Sequence, residues 1–218
     1  MPEPKQDRAV RTRQAILVAA AKVFEEHGYK AATISEILAS AKVTKGALYF
    51  HFASKEELAA GVLSGQDQQL IVPSHACKTQ ELVDTAMLHA YRLQSDPMVR
   101  AGVRLTLDQR AAGLDRTGPF LRWGEVAVGL LTTAQAQGEL LPHVVPAETA
   151  EVFVGSFAGV QAMSQAVCEY QDLLGRVSAL LRHILPSVVL SSVLASVDLS
   201  EQRGETLSLE ACREPALA

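Results

Sequence analysis

Apolar positions in the first third of the chain recur at helical spacing in short blocks, and residues with capping chemistry punctuate the blocks. Ala9, Ile16, Ala20, Val23 and Phe24 share one face of a helix running from about Arg8 to His27, with Gly28 at its C′ position. Ile34, Ile37, Leu38 and Ala41 mark a second helix; Val43, Leu48 and Phe52 anchor a third, shorter one that begins near Thr44. Thr33 with Glu36 and Ser54 with Glu57 each read S/T-x-x-E, the capping box in which side chains satisfy the orphan donors of a new helix. The second box opens a fourth helix through Leu58, Val62 and Leu63 toward Gln69, before the break at Ile71-Val72-Pro73.

Beyond that break the spacing predicts helices near 78–95, 97–112, 119–137, 147–170, 173–185 and 187–196, interrupted by Pro97, Gly113 with Gly118-Pro119, Gly138 with Pro142, and Pro186. No strand pattern competes. The chain is therefore expected to be all-α, with a three-helix helix-turn-helix domain over 1–53 and a larger helical domain over 54–199 whose first helix links the two. The stretch 200–218 is charged, small and patternless, and is expected to fray.

With 218 residues, 48% of them hydrophobic, the chain has material for one sizeable core and a satellite domain. There is no apolar run of transmembrane length and no charged start followed by a hydrophobic leader core, so a cytoplasmic protein is expected. Cys77, Cys168 and Cys212 are odd in number and far apart, which suggests neither a disulfide framework nor a zinc ribbon. No histidine pairs with another His or Cys at metal-ligand spacing, and no cofactor is implied. The net charge of −4 argues against a nucleic-acid partner until it is partitioned. Residues 1–63 carry nine Lys+Arg against seven Asp+Glu, whereas 64–218 carry eleven against seventeen. Only the small domain can neutralise phosphates; the acidic remainder must do something else.

The polar face of the third helix carries Thr44, Lys45, Tyr49 and His51, all able to donate to phosphates or base edges. The plain alternative is a helical hairpin with a solvated lysine face. Against it stands Gly46-Ala47, which is unfavourable inside an exposed helix yet lets a helix N-terminus approach a surface closely. Lys45 is assigned to a base edge or nearby phosphate, Thr44 to phosphate, Tyr49 and His51 to backbone oxygens, and Lys55 to a further phosphate. Ala47 is placed against a thymine methyl, and Thr33, which opens the second helix, is counted with the same face. One head makes too few contacts for tight specific binding, so a homodimer related by a two-fold axis is expected. Gly155-x-x-x-Gly159, Ala158-x-x-x-Ala162 and the strip Val188, Val189, Leu190, Val193 and Leu194 point to helices 147–170 and 187–196 as its surface, though intrachain packing would use them equally well.

Gly28-Tyr29, Thr33-Ile34, and the run Val43-Thr44-Lys45-Gly46-Ala47-Leu48-Tyr49-Phe50-His51-Phe52 followed by Lys55-Glu56 resemble the TetR family of repressors. Arg100-Ala101-Gly102-Val103-Arg104-Leu105, Trp123, Gly138-Glu139-Leu140-Leu141-Pro142-His143 and Phe153 through Gln161 resemble the γ-butyrolactone autoregulator receptors that govern antibiotic production. The likeness extends to about Arg203.

That resemblance implies a ligand-binding and dimerisation role for the second domain. It implies a pocket in which Trp123 lies against a bound lactone and Gln66 supplies a polar contact. Phe153, Phe157 and Gln161 could line the cavity or serve as core or interface. Many relatives carry a hydroxyl where this chain has Ala158, and Ser156 is the substitute. The mechanism implied is release: ligand between the body helices moves the fourth helix and spoils the match of two heads to a pseudo-palindromic operator. A regulator sensing an antibiotic or biosynthetic intermediate, and a sequence-blind structural DNA binder, are the alternatives. An enzyme is not expected, because no nucleophile elbow, dinucleotide loop, Walker A or H-E-x-x-H motif occurs.

Overall fold

A computed structural model describes residues 5–65, 72–107 and 117–213, with side chains from residue 8 to 211. The helices are α1 (Lys5–Ala31), α2 (Ile34–Ala41), α3 (Lys45–His51), α4 (Lys55–Gly65), α5 (Lys78–Ser95), α6 (Pro97–Leu107), α7 (Thr117–Ala136), α8 (Pro146–Cys168), α9 (Leu173–Ile184), α10 (Ser191–Leu194) and α11 (Arg203–Arg213). Two compact units divide the chain: Met1–Gln69 with Asp96–Pro119, and Leu70–Ser95 with Phe120–Ala218. Among the described residues no helix is long and apolar enough to cross a membrane.

In the first unit α1 is helical as far as Gly28, whose φ of 73° and ψ of 169° reverse the chain in a region that glycine alone enters freely. Ile16, Ala20 and Phe24 on α1 pack with Ile37 of α2, Leu48 of α3 and Phe52 into one core. Three helices alone would leave that core marginal, because a domain of about 50 residues buries a small share of its surface. Leu58, Ala59 and Val62 of α4 and Met98, Ala101 and Leu105 of α6 complete it. Packing therefore does not change at residue 53, where the sequence places the boundary. Arg100 and Arg104 of α6 bind the Glu25 carboxylate and the Glu25 carbonyl, fastening α6 beneath α1.

The second unit is built around α5, whose residues from Thr79 to Ala90 are all buried except Glu81. It packs against α9 and α11. Its N-terminus is capped from a distance: the Glu139 carboxylate accepts from the Lys78 and Thr79 amides, at 2.8 Å each, and from Thr79 Oγ1 at 2.7 Å. An acid at a helix N-terminus satisfies orphan donors and complements the helix dipole. Burial pushes the Glu139 carboxyl up, but the bonds from Thr79 and Lys78 outweigh it and hold the group below its usual range.

Two expectations are corrected in this unit. The stretch from 200 onward does not fray through its described part: α11 packs on α5, with Leu207 1% exposed and Arg203 bonded to Asp84. Nor is 187–196 a continuous helix. A 3₁₀ turn at Leu185–Ser187 leads to an antiparallel bridge between Leu140 and Val189, and only Ser191–Leu194 is α-helical. Pro186 cannot continue a helix, and Val188 and Val189 are drawn into their own chain's core, at 7% and 2% exposure, rather than left on an outer strip.

Candidate nucleic-acid interface and sensing site

The turn between α2 and α3 is made by Lys42, which adopts the left-handed conformation (φ 55°, ψ 39°) and caps α2 by donating its N–H to the Leu38 carbonyl. Thr33 caps the other end: its Oγ1 accepts from the Glu36 amide at 3.2 Å, and the Glu36 carboxylate accepts from the Thr33 amide and hydroxyl at 2.8 Å each. The Thr33 hydroxyl is thus committed to the cap. These bonds hold the Glu36 carboxyl below its usual range.

Thr44 caps α3 in the same manner, Oγ1 accepting from the Ala47 amide at 3.2 Å. Its hydroxyl hydrogen is left to donate outward, beside the helix's own first amides. Lys45 and Gly46 are exposed, Ala47 is half-buried and Tyr49 is 44% exposed. Among the described residues no atom outside the local helix lies within 4 Å of a Cβ built on Gly46, so the N-terminus of α3 stands clear of them. Leu48 turns inward and is fully buried. Lys45 and Tyr49 lie one turn apart, the ammonium 5.9 Å from the ring centre. His51 is half-buried and meets the Phe50 ring edge-on at 5.0 Å. Phe50 itself is 80% exposed, and sequence reasoning gave it no role, although an aromatic residue at a position the helical period turns outward was the signal.

Lys55 is positioned rather than free. Its ammonium sits 4.8 Å from the centre of the Tyr29 ring and donates to the Lys30 carbonyl at 3.4 Å, and burial lowers its pKa. Tyr29 in turn donates to Glu56 at 3.0 Å, and burial together with that bond raises its pKa to about 12. The second capping box is offset by one residue. Ser54 Oγ accepts from the Glu57 amide at 3.2 Å, but the Glu57 carboxylate takes the Ala53 amide at 2.5 Å instead of that of Ser54.

In the second unit, Trp123 of α7 and Phe157 of α8 converge on a residue that the sequence did not single out, His89 of α5. Ring centroids lie 4.6 Å apart for His89 and Trp123, and 5.5 Å apart for His89 and Phe157. Gln161, one turn beyond Phe157, is 5% exposed. Burial, and then the charge of nearby Arg92, push the imidazole pKa down to about 3 against the opposing effect of Gln161, so the ring is neutral at physiological pH. Phe153 is buried one turn before Phe157, so Phe153, Phe157 and Gln161 follow one face of α8. Ser156 is half-buried on the same helix, and Gln66 lies outside the described residues.

A small unit that presents a capped, donor-bearing helix to solvent, joined to a larger unit with aromatic rings around a neutral polar pair, defines a helix-turn-helix regulator with a sensing domain. Residues 16–62 match the bacterial regulatory proteins of the tetR family. The chain is 40% identical to the A-factor receptor protein of Streptomyces griseus over 212 residues, covering 94% of this chain and 76% of that protein. The crystal structure of full-length native TylP, a TetR regulator from Streptomyces fradiae, superposes with a TM-score of 0.87 at 43% identity, over 94% of this chain and 100% of that one. A γ-butyrolactone receptor described as an ArpA-like protein matches with a TM-score of 0.67 at 28% identity, over 95% of this chain and 98% of that one. The protein belongs to the TetR family of transcriptional regulators.

Proposed function

We propose that this protein is a ligand-responsive repressor that grips a pseudo-palindromic operator as a homodimer, is released by a γ-butyrolactone-type signalling molecule, and thereby controls antibiotic production. The observation that carries the reading is the open face of α3, where Lys45 and Gly46 stand in solvent on a helix whose other side is locked into the core. A helix so placed offers its N-terminal residues to base edges, while Thr44, Tyr49, His51 and Lys55 hold phosphates and fix the register. Thr33 contributes through the anchored start of α2, and Ala47 meets a thymine methyl.

Dimerisation is supported by α8. Val152, Gly155, Gly159, Met163 and Val167 recur every three or four residues and are all exposed, and among the described residues nothing beyond the helix's own backbone lies within 4 Å of a Cβ at either glycine. An apolar stripe with close-approach glycines suits a second copy of the same helix across a two-fold axis. For the effector, the support is the likeness to a γ-butyrolactone receptor together with the Trp123, Phe157 and Gln161 cluster, apolar walls with few polar groups being suited to a lactone bearing an alkyl chain. Phe153 and Ser156 extend that wall, and Gln66 adds a polar contact.

The test selects genomic fragments bound by the purified protein and measures affinity for the recovered sequence against random duplex. A preference of roughly 10³-fold or more supports a specific repressor. Equal affinity would support a sequence-blind DNA binder.

A further inference from the structure

Tyr29 follows the chain reversal at Gly28 and is 8% exposed, its ring beside that of Phe24 with centres 5.9 Å apart. Packing alone asks only for an aromatic ring at this place, and a phenylalanine would supply it. The hydroxyl is engaged instead by an exposed group, the Glu56 carboxylate on the first turn of α4, 3.0 Å away. Lys55, the residue before Glu56, has its ammonium over the face of the same ring, 4.8 Å from the centre. One of its three hydrogens goes to the Lys30 carbonyl at 3.4 Å, and two remain. The carboxylates of Glu36 and Glu56 stand close enough for their charge to act on it. Neither pairs with it. Glu36 accepts from the Thr33 amide and hydroxyl and Glu56 from Tyr29, and no ion pair of Lys55 occurs among the described residues.

The structure assigns Tyr29 the part of a positioning residue in DNA binding: its ring seats the Lys55 ammonium and its hydroxyl holds the Glu56 carboxylate aside, so the cation keeps its charge for a phosphate of the duplex. The proposal rests on the assignment of Lys55 to phosphate above and adds what makes that contact available. A lysine beside an unheld glutamate would share its charge with that neighbour. A ring face fixes the ammonium without neutralising it, since the ring carries no net charge. Ordering the long side chain beforehand also removes part of the entropy otherwise lost when a phosphate immobilises it.

The experiment uses the full chain as Y29F, which keeps the ring and removes the hydroxyl, and as K55Q, E56Q and the double variant Y29F/E56Q. Binding to a labelled random-sequence duplex, and to operator recovered by the genomic selection, is read by fluorescence anisotropy across a salt series. Phosphate contacts carry no sequence information, so the random duplex reports on Tyr29 even where the specific-repressor reading fails. K55Q is expected to weaken both duplexes alike and to lower the slope of log affinity against log salt by about one per head. Y29F is expected to weaken both by about 3- to 30-fold over two heads, with the slope lowered in the same sense. E56Q alone is expected to change binding little, and in Y29F to restore most of the loss, because no carboxylate then competes for Lys55. Strictly additive effects of Y29F and E56Q would make the hydroxyl a structural tether between the 29–32 segment and α4 and overturn the proposal. A loss with K55Q and none with Y29F removes the role of Tyr29 alone, whereas an unchanged slope in K55Q removes the phosphate contact with it. Should Y29F not fold, proton spectra of the unaltered protein decide: Lys55 side-chain shifts displaced upfield by the Tyr29 ring, and kept so on adding duplex, support the seating, and unperturbed shifts overturn it.

Discussion

Arg203 and Asp84 meet through two parallel hydrogen bonds, Nε to Oδ1 and Nη2 to Oδ2, each 2.7 Å long. The pair ties α11 to the middle of α5, where Asp84 is 1% exposed and also accepts from Gln80 at 2.7 Å. Beside it, a Cβ on Gly204 would stand 2.5 Å from the Met87 carbonyl oxygen. The last described helix is therefore part of the sensing unit's core.

Removing one partner of a buried ion pair strands the other. Arg203→Met is expected to destabilise the protein by about 3 kcal/mol, and Gly204→Ala by roughly 1–3 kcal/mol through overpacking against backbone. Urea unfolding of the two variants checks both values.

The open face of α3 separates DNA binding from sensing. Lys45→Ala is expected to abolish operator binding at physiological salt, with unfolding midpoint and effector affinity unchanged, because Lys45 is exposed and packs in no core. Trp123→Ala is expected to keep operator binding and to lose release. Fluorescence anisotropy on labelled operator, with and without effector, reads both variants.

The same reasoning isolates the dimer. Since Gly155 is exposed and a Cβ on it would meet no atom within 4 Å among the described residues, Gly155→Arg is expected to leave the fold intact while placing a charge in the α8 stripe. Sedimentation should give a monomer that binds operator at least 10²-fold more weakly, as one head replaces two.

Acid sensitivity follows from His89. Its folded pKa of about 3 lies below the unfolded value near 6.5, so below pH 6.5 the unfolded chain binds more protons than the native one. Stability is fully retained above that pH and falls by about 1.4 kcal/mol per pH unit as acid is added. The His89→Phe variant is expected to lack this decline between pH 6.5 and 4.5. Further into acid, Glu139 adds its own: its folded pKa is depressed, so its contribution is present above the unfolded carboxylate pKa and is lost as pH falls through the folded one.

What the sequence made legible was local. The cap at Thr33, the start of a helix near Thr44, the reversal at Gly28 and the inward Leu48 depend on chemistry within four residues, and periodicity exposes it. What it hid was distant. Arg203 finds Asp84 119 residues away, so a charged stretch without pattern gave no sign of a packed helix. His89 looks like any lone histidine on an apolar face until α7 and α8 bring Trp123 and Phe157 to it. The bridge of Val189 to Leu140 likewise needs a partner that no window of the chain contains.

Regulated release is tested most directly by titrating the operator-bound dimer with a hydroxylated γ-butyrolactone and following the complex by mobility shift. A saturable loss of the shifted band, abolished by Trp123→Ala, is the expected result. A complex that withstands the lactone at every concentration, while an antibiotic or a biosynthetic intermediate dissolves it, would contradict the lactone as the signal.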